Sequence, residues 1–307
     1  MRIPRFAGRV DAGHTPDQSQ AGDADMSTET DTRRDAWISI TIFLLIVGPT
    51  SAVFHWALVT LNPTSLYVGP LMWMPAMAAF ATLLIRGRSF RSLPWNWGRW
   101  RFNAKAFLVP VVYVGITYGL IYALGLGGFP DMETIGEWRA ETGLADIPQW
   151  GLIAVMVALL GTVGAIRAMS TVVGEEIGWR GFLVWEMRKV MPFGALALVS
   201  GLIWSFWHWP VVVWYGGGDA LTQMTVFTIM ITSMSVVMTY YTFKSRSLWP
   251  AVMFHAAHNV FIQKIFDPLT AYDDSTSFWA GEYGWMIAIV TAGFGLVYWF
   301  KARKEGL

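Results

Sequence analysis

The sequence has no cysteine and few charged residues. The absence of cysteine from all 307 residues excludes a thiol nucleophile, a thiolate metal site and a disulfide scaffold. Charged residues make up 14% of the chain and hydrophobic residues 54%, with a mean hydropathy of +0.43. Because soluble domains carry about 25% charged residues, we predict an integral, multi-pass membrane protein, in the cell membrane if the source is prokaryotic. The formal net charge of +1 gives no sign of a nucleic-acid partner.

The first 35 residues differ in composition from the rest of the chain. Residues 1–35 are rich in Gly, Asp, Ser and Thr and contain no apolar core followed by a cleavage site. They are therefore predicted to form a disordered cytoplasmic tail rather than a signal peptide. The remainder, 36–307, is predicted to be the membrane domain.

Eight apolar segments follow the tail, and a membrane-spanning helix needs about 20 such residues. They cover about 36–61, 66–85, 106–126, a segment from 150 into a charged motif, 194–214, 221–243, 248–266 and 283–300. Lysine and arginine concentrate in alternate loops, at 86–105, 188–189, 244–246 and 301–304. Since basic loops stay in the cytoplasm, we predict an all-α bundle of about eight transmembrane helices with both termini cytoplasmic.

The loop 86–105 interleaves aromatic and cationic residues. Such interleaving occurs in proteins that bind single-stranded nucleic acid, but in so hydrophobic a chain it indicates a segment lying at the lipid headgroups. We therefore predict the lipid bilayer, and no nucleic acid, as its partner. A further hypothesis is that this loop presents substrates at the cytoplasmic surface.

The segment from Val173 to Phe182 places two adjacent carboxylates and an arginine in apolar surroundings. Charged groups in lipid are costly and mark functional sites by default. In a helix, Glu176 and Arg180 are four residues apart and can pair, whereas Glu175 points about 100° away. The pattern predicts a structural ion pair and one carboxylate, Glu175, left for chemistry.

The apolar stretch that contains this motif is too long for one membrane crossing. It runs from Trp150 to Met187, which as a straight helix would measure about 57 Å. We therefore predict that the helix breaks near Gly174, Gly178 or Gly181.

Two more polar clusters interrupt predicted spans. Trp204 and His208 are four residues apart, as are His255 and Asn259, so each pair shares one helix face. His258 lies close to the second face. Counted from the flanking loops, these clusters and Glu175 reach one level, in the cytoplasmic half to the middle of the bilayer.

Together the three clusters resemble the CAAX protease and bacteriocin-processing family of intramembrane endopeptidases. The first family motif, a Glu pair, three residues and Arg, is similar to Glu175-Glu176-Ile-Gly-Trp-Arg180-Gly181. The second is an aromatic residue, usually Phe, three residues and His; here Trp204 precedes His208. The third is matched by His255 and Asn259 after Leu-Trp-Pro. The motifs are in family order, which marks about 150–265 as a protease-like core.

The resemblance implies a role for each motif residue. Glu175 and His208 would activate a water, and His255 and Asn259 would stabilise the oxyanion. Glu176, Arg180 and Trp204 would support the site. These roles suit peptide hydrolysis, which needs a base beside the water and donors at the developing oxyanion.

The expected activity is therefore cleavage of a membrane-associated peptide or protein, such as a prenylated or leader peptide, with no cofactor. Nothing in the residues selects among these substrates.

Alternative interpretations stay open at this point. His208, His255, His258 and a Glu could ligate zinc, although no His-Glu-x-x-His is present. Gly216-Gly-Gly-Asp219 and Tyr272-Asp273 are similar to diaspartyl protease signatures, but both fall in predicted extracytoplasmic loops. A non-proteolytic membrane scaffold or immunity protein could also share the fold.

Overall fold

Helices provide every regular element in the part of the chain that the structure describes. The computed structural model describes residues 18–61 and 65–307. The helices are α1 (Gln18–Thr60), α2 (Ser65–Ile85), α3 (Trp100–Ala123), α4 (Met132–Thr142), α5 (Gln149–Arg188), α6 (Phe193–Tyr215), α7 (Ala220–Ser245), α8 (Trp249–Val260), α9 (Thr276–Trp279) and α10 (Trp285–Lys304). Among these residues, seven helices are long and apolar enough to cross a membrane: all but α4, α8 and α9.

The loops between the helices gather at two ends of the bundle. At one end, which we call the basic face (86–99, 186–192, 244–248 and 301–307), Arg88 pairs with Glu186 and Lys244 with Glu305, each at 2.8 Å. At the other end, the acidic face (124–148, 216–219 and 267–284), Gly128 and Ala271 form a backbone bridge. Basic and acidic loops are thus segregated, as the charge pattern predicts.

The predicted span 248–266 is helical but more polar than the others. It consists of α8 and a π-helical continuation, Phe261–Phe266. It runs from the basic face to the acidic face and is largely buried among the other helices. It joins the two faces as the seven apolar helices do, so the prediction of an all-α bundle of about eight spans is confirmed. The cytoplasmic location of the termini stays a prediction.

The predicted N-terminal tail is only partly covered. Residues 1–17 of it lie outside the described residues. From Gln18 the backbone is the first part of α1, which continues into the membrane-spanning segment Thr30–Thr60. A helix that is already nucleated by its apolar segment extends into neighbouring residues at little cost.

The long helix α5 does not break, so the prediction of a break near Gly174–Gly181 is wrong. The helix instead passes through two π-helical segments, Leu160–Gly164 and Ile177–Leu183, and continues to Arg188. A break inside the bilayer would leave backbone N–H and C=O groups without partners. A π-turn widens the helix while keeping those groups bonded.

The glycines of α5 instead allow this helix to lie in close contact with α2. A Cβ on Gly174 would lie 2.7 Å from the carbonyl oxygen of Met72, and one on Gly178 would overlap Pro75. Small residues let two membrane helices approach to backbone contact. This contact fixes the part of α5 that carries Glu175 against α2.

Replacing Gly178 by alanine should therefore destabilise the bundle. Overpacking of this kind costs about 1–3 kcal/mol, because the backbone of Pro75 cannot move aside as a flexible side chain would. Thermal unfolding of the purified variant in detergent should show a lower midpoint than the unmodified protein. Gly115→Ala on α3 is the matched control, since no atom lies within 4 Å of its added Cβ. Equal midpoints for both variants would contradict this account.

Candidate active site

One pocket brings the three sequence clusters together. It has a volume of about 250 Å³ and lies between α5, α6 and α8, with walls from α1, α2 and α7. The predicted site residues that line it are Glu175, Trp204, His208, His255 and Asn259. The other two predicted residues, Glu176 and Arg180, lie buried behind this wall.

Glu175 is buried and directed at α6. The residue is 1% exposed, and Trp204 Nε1 donates a hydrogen bond of 2.8 Å to its Oε2. The Phe that is usual at this motif position has no such donor. The tryptophan therefore holds one carboxylate oxygen in place in addition to filling space.

His208 faces the same carboxylate oxygen. Its Nε2 lies 4.0 Å from Glu175 Oε2, too far for a direct hydrogen bond. Its Nδ1 lies 2.9 Å from the carbonyl oxygen of Trp204, and because a carbonyl only accepts, Nδ1 carries the hydrogen. In the neutral ring Nε2 then has a free lone pair. A single water with hydrogen bonds of about 2.8 Å to both atoms would span this separation.

Glu176 is the centre of a buried charge cluster. Arg180 Nη1 donates to both of its carboxylate oxygens at 3.2 Å, so the predicted pairing is present. His255 Nδ1 lies 2.8 Å from Glu176 Oε1, which leaves its Nε2 for the pocket that the ring lines. The Arg180 guanidinium also lies 4.0 Å from the centre of the Trp204 ring, a cation–π contact.

Asn259 follows His255 by one helical turn. Its side chain lines the pocket, and its amide makes no hydrogen bond to any residue that the structure describes. The amide donors of Asn259 are thus available to a ligand, beside the Nε2 of His255.

A second polar cluster in the same pocket was not predicted from the sequence. His258 Nδ1 lies 2.6 Å from the Tyr113 hydroxyl, and its Nε2 lies 3.4 Å from Glu282 Oε1. Gln263 donates to the same carboxylate at 3.0 Å. His258 was visible beside the third motif, but Glu282 comes from the loop before α10. No helical periodicity connects that loop to the pocket.

The charge of Glu282 is set by these contacts. Burial acts to raise its pKa, but His258 and the donated hydrogen bond from Gln263 hold the pKa below its ordinary value. Glu282 is therefore an anion at neutral pH, at the edge of the pocket nearest the acidic face.

The zinc interpretation requires three ligands that converge on one point. Over residues 18–61 and 65–307, no three His, Asp or Glu side chains are grouped so that they could hold a metal ion. His255 Nδ1 instead contacts Glu176, and His258 Nδ1 contacts the Tyr113 hydroxyl. The expectation that the protein needs no cofactor stays a prediction.

The two aspartates of the diaspartyl-like signatures have local roles. Asp219 caps the N-terminus of α7 by accepting from Thr222 N at 2.8 Å. Asp273 accepts from the backbone of Ser275 and Thr276 within its own loop. Neither lines the pocket described above.

Two comparisons with known proteins agree with the motifs. Residues 150–261 match the sequence profile of the family described as type II CAAX prenyl endopeptidase Rce1-like. The chain is also similar to CAAX prenyl protease 2 of Methanococcus maripaludis, with 21% identity over 211 residues that cover 62% of this chain and 70% of the relative. The profile match includes every predicted site residue, and the resemblance that the three motifs predict is confirmed.

Arg180→Met should be strongly destabilising, because it leaves the Glu176 carboxylate buried without its main counter-charge. Breaking a buried ion pair costs about 3–5 kcal/mol. The free energy of unfolding can be measured by denaturant titration in mixed micelles. Arg167→Met is the matched control on the same helix, since Arg167 is exposed and has no ion pair within the described residues. A loss no larger than that of the control would show that the pair does not hold the site together.

Proposed function

We propose that this chain, whose residues 150–261 match the family model described as type II CAAX prenyl endopeptidase Rce1-like, is an intramembrane endopeptidase. It hydrolyses a peptide bond of a membrane-associated substrate. The observation that supports this most is the convergence of Glu175, His208, His255 and Asn259 on one pocket within a membrane bundle.

Glu175 and His208 activate the water in this proposal. The water lies between Glu175 Oε2 and His208 Nε2, which are 4.0 Å apart. As its oxygen attacks the scissile carbonyl carbon, its proton passes to the Glu175 carboxylate. Glu175 then returns the proton to the amide nitrogen as the C–N bond breaks, releasing a carboxylic acid and an amine. This is general base followed by general acid catalysis by one group.

His255 and Asn259 stabilise the tetrahedral intermediate. The carbonyl oxygen becomes an oxyanion when the water adds, and preorganised donors at that position lower the barrier. The Asn259 amide and an imidazolium Nε2–H of His255 are such donors on one face of α8. Glu176 supports His255 because it accepts the hydrogen of Nδ1.

The walls of the pocket fit an apolar substrate. Beyond the polar residues, the lining is largely hydrophobic: Leu58, Val68, Leu71, Met72, Trp207, Val211, Phe227, Ile231 and Met234. Such walls favour a hydrophobic, prenylated or leader-type peptide segment over a polar one. The relative that this chain resembles carries the name CAAX prenyl protease 2.

Glu175→Gln should abolish cleavage while preserving the fold, because the amide keeps the shape of the carboxylate but cannot accept the proton. A positioned general base contributes about 10²–10⁴-fold, so the loss should fall in that range or beyond. Purified protein is incubated with a peptide library and a membrane proteome, and new termini are identified by mass spectrometry. Glu133→Gln, an exposed carboxylate on α4, is the matched control and should cleave normally.

A non-proteolytic scaffold would behave differently in the same experiment. It would yield no new termini from either protein, and Glu175→Gln would retain full biological activity. That result would refute the protease proposal.

Turnover should be independent of metal ions. Treatment with EDTA and with 1,10-phenanthroline is expected to leave the cleavage rate unchanged, because Glu175 and His208 supply the proton chemistry. Metal analysis of the purified protein accompanies the assay. Loss of activity on chelation, with recovery on adding Zn²⁺, would instead favour a zinc site built from His208, His255 and His258.

A further inference from the structure

A groove between α2, α5 and α8 carries two cations in its walls. It has a volume of about 560 Å³, and its charged lining residues are Arg167 and Lys264. Both residues are exposed. Neither has an ion pair within residues 18–61 and 65–307, and no acidic side chain of that part of the chain lines the groove. We call it the cationic groove.

Arg167 begins too far inside its helix to place its charge at the lipid headgroups. Along α5 it lies about 27 Å from Gln149 and about 32 Å from Arg188, at 1.5 Å per residue. An arginine near a helix end can extend its guanidinium to the membrane surface, but this one is near the middle of a candidate span. Ionisable residues at such positions are rare and mark functional sites by default. An exposed arginine without an acidic neighbour therefore indicates an anionic ligand.

Contacts between the helices hold the walls of the cationic groove together. A Cβ on Gly161 would lie 3.1 Å from the Phe261 ring, so the π-helical segments of α5 and α8 pack closely here. On the other side, Trp73 Nε1 donates to the Ser170 carbonyl oxygen at 3.2 Å and connects α2 to α5. The two cations are thus carried by neighbouring helices that are packed against each other.

The cationic groove adjoins the catalytic pocket. The two share Met72, Asn259 and Gln263 as lining residues, and Asn259 is one of the proposed oxyanion donors. Arg167 precedes Glu175 by eight residues of α5, a distance of about 12 Å along the helix. Because an extended peptide advances about 3.3–3.6 Å per residue, this distance corresponds to about three or four residues of substrate.

From these observations we infer that Arg167 and Lys264 bind a carboxylate of the substrate, about three or four residues from the scissile bond. A guanidinium and an ammonium both donate to a carboxylate, and such charge-assisted hydrogen bonds are about twice as strong as neutral ones. The bound carboxylate fixes the position of the peptide along Asn259 and Glu175. This inference rests on the proposed function and assigns to it two residues that determine specificity.

A phospholipid phosphate is the other anion that a membrane supplies. The substrate is favoured because the cationic groove shares Asn259 with the catalytic site, so that an occupant of the groove lies beside the reacting peptide. The two ligands are distinguished by whether the charge of the peptide or the charge of the lipid changes the rate.

Charge reversal by Arg167→Glu/Lys264→Glu tests this inference. The peptides derive from a substrate that the cleavage assay has identified, with Asp, Asn or Lys placed about two to five residues from the scissile bond on either side. In dodecyl maltoside micelles, the unmodified protein should cleave the best Asp peptide with a kcat/KM about tenfold or more above that of its Lys counterpart, mainly through KM. The double variant should prefer the Lys peptide, and a loss of folding cannot produce that inversion.

Arg303→Glu/Lys304→Glu is the matched control, since both residues are exposed at the basic face and neither lines the cationic groove. This control should keep the preference of the unmodified protein. The same charge preference in all three proteins would overturn the inference. It would also be overturned if peptide charge has no effect, while phosphatidylglycerol in phosphatidylcholine vesicles raises the rate of the unmodified protein but not that of Arg167→Glu/Lys264→Glu. The groove would then bind a lipid phosphate.

Failure of the proposed function gives a different result. If the unmodified protein cleaves no peptide while Glu175→Gln retains biological activity, the protease proposal fails, and the carboxylate site fails with it. If Glu175→Gln abolishes cleavage but the unmodified protein shows no charge preference, the protease proposal stands and only the carboxylate site fails.

Discussion

Two adjacent carboxylates remain buried in this bundle because Arg180 and His255 both bind one of them. Arg180 gives Glu176 a buried counter-charge at 3.2 Å, without which the carboxylate would be an uncompensated buried charge, and His255 contacts the same carboxylate. The other acid, Glu175, is held by the hydrogen bond that Trp204 donates to its Oε2. The same oxygen faces His208. The two neighbouring glutamates thus differ in their partners although they are the same residue type.

The Glu176 cluster depends in turn on how α5 contacts α2 and α8. The glycines at 174 and 178 allow backbone contact with α2, and the π-helical segment Ile177–Leu183 carries Arg180. Such π-segments are frequent at functional sites because the extra residue per turn redirects side chains. Here Arg180 pairs with Glu176 and also lies over the Trp204 ring. The π-helical turn of α5 that carries Arg180 therefore packs against α6.

The sequence could predict what depends on short-range spacing. Residues four apart share a helix face, which identified the pairing of Glu176 with Arg180 and placed Trp204 with His208 and His255 with Asn259. Spacing could not predict whether α5 breaks or continues as a helix. The same glycines are compatible with a break and with a π-turn, and only the contact with α2 decides between them. Glu282 could not be predicted for a related reason. It lies in a loop, and only the tertiary structure brings that loop to the pocket.

The buried stretch of α5 beyond Glu175 has a consequence for how charge is balanced inside the bundle. Every residue from Gly174 to Val184 is buried, and Trp179 and Phe182 are each 1% exposed. Arg180 lies within this stretch and pairs with Glu176 one helical turn away. The Glu176 carboxylate thus has its counter-charge inside the bundle and does not depend on the basic loops for it.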